Sequence, residues 1–164
     1  MPPDPRERLA AEQAALVRAL VAAGPVPDGF DPGRVRATSA ALARKRAREV
    51  ARAWPALALG LGDRFEARLE AWAGGSAPPP GGALADGLAF ARARARRGGL
   101  SADARVERAL VEARWRLRHG RLVPRRGLTV RAAVGEVPHR LVVVAHIPVL
   151  GERRWSLPLT GRER

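Results

Sequence analysis

Apolar residues recur at helical spacing through the first two-thirds of this chain and switch to alternation after Pro124. The helical part opens with Asp4 as N-cap and Pro5 at the first helical position, a favoured start. Leu9, Gln13, Leu16 and Leu20 share one face with Val17 and Val21 beside it, predicting a helix over about 5–23. Asp31-Pro32 starts a second helix in the same way, with its Arg-rich body over 35–54. Phe65, Leu69 and Trp72 place a third over 63–73, with Asp63 as its N-cap. The Gly74–Gly82 run, rich in Pro and Gly, is a loop. Leu84, Leu88, Ala91 and Ala95 mark a fourth helix over 83–97. Ser101 caps a fifth, which carries Val106, Leu110, Ala113 and Leu117 toward His119-Gly120.

Beyond Pro124, Leu128, Val130, Ala132 and Val134 alternate with Thr129, Arg131 and Ala133, the pattern of a strand with one buried face. After a turn over 135–139, the run 141–147 is apolar on both faces and reads as a central strand. A second turn at Gly151-Glu152 leads to a third strand with Trp155, Leu157 and Leu159 facing one way. Pro158 cannot donate to a ladder, which puts that strand at an edge. The expected fold is therefore α+β: a bundle of about five helices over 1–122, then a three-stranded antiparallel meander over 123–164.

The sharpest punctuation is Trp54-Pro55, followed by Leu57-Ala58-Leu59-Gly60-Leu61-Gly62 and then Asp63-x-Phe65. Proline removes a donor and pushes the preceding residue out of the α region, so the second helix ends at Trp54 and a link follows.

Composition narrows the chemistry. There are 164 residues and no cysteine, which excludes disulfides, thiolate metal sites and cysteine nucleophiles. The formal charge is +14, and every basic residue except Lys45 is arginine. Such a charge attracts an anionic partner, although a high-GC codon bias produces the same composition. No apolar run reaches the roughly 20 residues of a membrane span, and the N-terminus lacks the pattern of a secretory signal. A cytoplasmic protein is expected.

His119, His139 and His146 stand apart, without carboxylates at ligand spacing, and no metal site or cofactor is expected. His139 reads as a turn residue and His146 as a strand residue with a satisfied ring. No glycine-rich nucleotide fingerprint is present, and Glu107 and Glu112 make a weak acid/base pair. The chain reads as a non-enzyme. On helix two, Lys45, Arg48 and Arg52 form a basic stripe flanked by Arg44, either a solvated face or an anion surface. Arg46 falls within the apolar arc. It either pairs with Glu49 while its head snorkels, or makes a polar contact at the bundle centre or in a groove. In the meander, the first strand, with Leu128, Val130, Arg131, Ala132 and Val134, has no proline and ends the sheet. An extended peptide can add there, unless the chain's own loop shields it.

The residues Leu9…Gln13, Leu42-x-x-Lys45-Arg46, Trp54-Pro55, Leu61-Gly62-Asp63-Arg64-Phe65, Asp86-Gly87-x-x-Phe90-Ala91 and the Glu107-bearing helix together resemble the helical domain of HvfC/BufC-type proteins, most nearly the actinobacterial variant. That domain has long been labelled DNA-binding. Its relatives are partners of multinuclear non-haem iron oxidases that modify ribosomally made peptides. The resemblance covers about 6–118 and implies a cytoplasmic accessory subunit. It would dock on a multinuclear iron oxidase, as a heterodimer, and bind the leader of a precursor peptide in natural-product maturation. The iron would belong to the oxidase. The basic face Lys45, Arg48 and Arg52 and the strand residues Leu128, Val130, Arg131, Ala132 and Val134 are the expected peptide- or partner-binding residues. The alternative is a DNA-binding or regulatory protein that uses the Arg-rich helices.

Overall fold

A computed structural model of the chain describes residues 4–135, 140–147 and 150–158, and shows an α+β protein. The helices are α1 (Pro5–Val21), α2 (Pro32–Ala53), α3 (Pro55–Leu61), α4 (Phe65–Ala73), α5 (Gly82–Ala95) and α6 (Ala102–Arg114). A single 3-10 turn, Gly62–Arg64, joins α3 to α4. The strands are β1 (Trp115–Arg118), β2 (Arg121–Pro124), β3 (Thr129–Gly135), β4 (Arg140–Ile147) and β5 (Gly151–Pro158).

Caps explain most helix starts. Asp4 accepts from the Arg6 N–H at 3.1 Å, Asp31 from Arg34 at 2.6 Å and Ser101 from Ala104 at 3.3 Å, each satisfying an orphan donor. Asp63, expected as a cap, instead sits within the 3-10 turn.

The chain divides into two compact units that interleave in sequence: Met1–Glu49 with Glu66–Pro78, and Val50–Phe65 with Pro79–Arg164. In the first, the buried apolar residues are Ala19, Val35, Ala47, Leu69 and Ala73. The face expected for α1 is only partly hidden, since Leu9 and Val17 are exposed.

The second unit is built around Trp54. Its N–H closes the last bond of α2 on Val50, and its carbonyl accepts from Ala58 to open α3. The expected link after Pro55 is thus a short helix, because proline is well placed at a helical first position. The Trp54 side chain is fully buried, and its indole N–H donates to the Leu84 carbonyl at 3.1 Å. Gly87 lies against the indole, where a Cβ would overlap the ring. Phe65 meets Phe90 edge-on, with centroids 6.2 Å apart. Asp86, Leu88, Phe90 and Ala91 are all buried, so the Asp86-Gly87-x-x-Phe90-Ala91 motif is core.

One finding differs from the periodicity. The helix expected to reach His119-Gly120 stops at Arg114, and the chain turns into a hairpin in which Trp115 pairs with Pro124 and Arg118 with Arg121. The loop residues His119 and Gly120 both have positive φ, as a two-residue type I′ turn requires. The meander itself is ordered β3-β4-β5 and antiparallel, with β4 central and Pro158 on an edge strand, as expected. Its inner face packs on α6 through Val106, Ala113, Val142 and Val144, with Leu110 and Ala133 against them. The turn at His139 and the position of Leu159 fall outside the described residues.

Gly87→Ala tests the Trp54 site. Alanine offers about 1 kcal/mol of helix propensity over glycine, but overpacking against a buried ring costs ~1–3 kcal/mol. Urea unfolding should show a net loss, while Gly127→Ala, with open space around its Cβ, changes stability little.

Candidate functional site

Strand β3 carries half of the site residues expected from sequence, Val130, Arg131, Ala132 and Val134, and the alternation there left open which face is inside. Thr129 is buried, Arg131 and Ala133 are half-buried toward α6, and Val130, Ala132 and Val134 are exposed. The apolar set therefore points away from the core. The register carries this face across the sheet: Val130, Ala132 and Val134 stand beside Ala145, Val143 and Leu141, and Val143 and Leu141 beside Trp155 and Leu157. Leu128, just before β3, is 68% exposed. Val130, Val134, Trp155 and Leu157 are 42–54% exposed. A monomer rarely leaves such a row of large apolar side chains in water unless something binds there. Among the described residues, nothing pairs with the outer edge of β3.

The basic stripe on α2 is exposed. Lys45 lies 3.8 Å from Glu49, with side chains 65% and 46% exposed, an ion pair worth little. Arg48 and Arg52 are exposed as well. Arg46 donates from Nη1 to the Ser76 carbonyl at 2.7 Å, tying α2 to the loop after α4. Its partner there is a loop carbonyl at the surface, so the guanidinium head reaches out of the apolar arc.

A denser group of arginines surrounds Glu112 in the second unit, and periodicity gave no hint of it. Arg92 from α5 meets Glu112 Oε1 at 2.7 Å, and Arg108 Nε lies 3.9 Å from Oε2. Arg125 donates to the Glu112 backbone carbonyl at 2.8 Å, and its own N–H bonds to Arg114. Burial first, then the charges of Arg131 and Arg116, lower the Arg125 guanidinium from its ordinary value, with Glu112 opposing.

Among the described residues no group of three or more His, Asp or Glu is placed to hold a metal ion. His119 occupies the hairpin turn. The ring of His146 was expected to be satisfied, yet its Nδ1 is buried without a hydrogen-bond partner among the described residues. The strand that carries it places it toward the inner face, opposite Thr129. No described helix is long and apolar enough to cross a membrane.

Glu107 has a structural role that its spacing from Glu112 did not reveal. Trp54 offers no side-chain cap to α3. The Glu107 carboxylate supplies one from α6, accepting from Ala56 at 3.1 Å and Leu57 at 2.8 Å. A carboxylate also suits the positive end of a helix. Burial pushes its pKa up, and the two N–H bonds only partly oppose that. A raised folded-state pKa means that protonation favours the fold. Stability should therefore fall as pH rises through the Glu107 titration, a slope that Glu107→Gln removes. Glu107→Ala should cost ~1–2 kcal/mol through the lost cap. Urea titrations at several pH values measure both effects.

The motif residues near the Trp54 core are also where the chain resembles known proteins. Residues 10–96, from within α1 through α5, match the family model described as SCO6045-like, C-terminal domain. A UPF0276 protein of Streptomyces avermitilis is 46% identical over 91 residues, which cover 55% of this chain and 18% of the relative. This chain thus matches less than a fifth of that protein's length. No solved structure matches it. With more than half its length inside the family model, the chain belongs to the SCO6045-like, C-terminal domain family.

Proposed function

We propose that this protein is a non-catalytic partner subunit of the HvfC/BufC type, which docks on a multinuclear iron-dependent oxidase and binds the leader of a ribosomally made precursor peptide. One observation carries the reading: a three-stranded sheet with an unpaired β3 edge and an exposed apolar outer face. An extended peptide pairs with such an edge by main-chain hydrogen bonds, and its alternate side chains prolong the row begun by Val130 and Val134. The match to a short part of a much longer relative supports the same reading, because a similar segment there shares its chain with a larger body. The motif resemblance supplies the identity of the oxidase and of its substrate class.

Co-purification with the oxidase should give a one-to-one complex. The leader should lose at least about tenfold in affinity for Val130→Glu/Val134→Glu, whose exposed positions keep the melting temperature near wild type. Unchanged leader affinity in that variant overturns the edge reading. Tight binding of any DNA duplex, weakening steeply with salt, would favour the DNA-binding alternative instead.

A further inference from the structure

We infer that Ala132 sets the side-chain specificity of the β3 edge, leaving a notch that takes one large, uncharged apolar side chain of a β-paired peptide. This rests on the peptide-docking reading and adds to it the class of residue the peptide must carry. The two edge strands of the sheet are unlike. β5 carries Arg153, Arg154 and Pro158, and charge and proline are the usual guards against strand addition. β3 has no proline, and its one charged residue, Arg131, is half-buried on the inner face. An unpaired strand edge presents main-chain donors and acceptors in a row, which an extended chain satisfies and a helix does not. A strand as occupant also fixes where its side chains fall. Residues directly opposite on antiparallel strands share a face, with Cβ atoms about 4.5–5.5 Å apart.

The outer face steps down in size toward the open edge. In its middle row Trp155 stands beside Val143, and Val143 beside Ala132. The rows on either side reach β3 at Val130 and Val134. Ala132 is thus an exposed low point between two valines roughly 13 Å apart along the strand. A peptide strand adds one more member to each row. Opposite Val130 or Val134, a large side chain meets a branched neighbour at once. Opposite Ala132, it lies across a single methyl group and reaches the half-buried Val143. The middle row holds no charge, whereas the Val130 row runs through Ala145 to Arg153. A carboxylate placed opposite Ala132 would lose water and gain no partner in that row. Leu or Phe there buries apolar surface, and Ala leaves the notch empty.

The probe is a set of labelled nine-residue peptides, Ser-Gly-Val-Thr-X-Thr-Val-Gly-Ser, with Ala, Leu, Phe or Glu at X. The sequence reads the same in both directions, so strand polarity does not move X. By anisotropy on the full chain, the Leu and Phe forms should bind about tenfold tighter than the Ala form, and the Glu form no tighter than Ala. Ala132→Leu fills the notch at an exposed position and should erase the preference. If that variant fails to fold, Ala132→Val should show part of the same loss. Equal binding of all four peptides to wild type overturns the notch and leaves edge pairing intact. A size preference that persists unchanged in Ala132→Leu also overturns it. Position is read separately by disulfide trapping, since the chain has no cysteine. With Cys at X in a glutathione buffer, Ala132→Cys should trap the peptide faster than Val130→Cys or Val134→Cys, because directly opposed Cβ atoms suit the bond. Equal trapping at all three positions overturns the assignment to Ala132. Neither binding nor trapping of any of the peptides sinks the docking reading together with the notch.

Discussion

The burial of Trp54 is the constraint around which the second unit is organised. Pro55 forces the chain out of its helix at that residue, so the indole leaves the line of α2 and needs a site of its own. The site is made by a glycine that leaves room for the ring and a carbonyl that takes its N–H. The same break starts a new helix without a capping side chain, and α6 answers with Glu107. A chain with three phenylalanines and no tyrosine depends heavily on such placements.

Helix starts were legible in the sequence wherever a short polar residue precedes the first turn, as at Asp4, Asp31 and Ser101, because capping is local chemistry. The meander, its central strand and its Pro158 edge were legible for a similar reason: alternation and proline act within a few residues. Three features were hidden. Leu117 continued the helical period of α6, but the I′ pair His119-Gly120 won, since a hairpin turn overrides a weak apolar repeat. Which face of β3 lies inside was not legible, because alternation fixes that two faces exist, while contact with α6 decides between them. Ala133 and Thr129, small enough to lie against a helix, went in, and the valines went out. The third hidden feature is the group around Glu112, which joins Arg92 on α5, Arg108 on α6 and Arg125 after β2, a closeness that no spacing encodes.

These outcomes move the functional weight within the molecule. On α2, the exposed arginines and the weak Lys45–Glu49 pair have the ordinary character of a hydrated helix. The sheet offers what a soluble helix face does not: unsatisfied main-chain groups along one edge beside uncovered apolar side chains, with charge-bearing neighbours drawn from the same unit.

The Glu107 bridge also bears on where this domain can be cut. The family match stops at residue 96, yet the carboxylate that closes the first turn of α3 comes from eleven positions later. Seven residues are too few to hold a helix unaided in water. A fragment trimmed to the matched boundary would therefore keep the Trp54-Pro55 and Asp86-Gly87 motifs while leaving α3 with no partner for its opening amides, so the matched segment is smaller than the unit that sustains it.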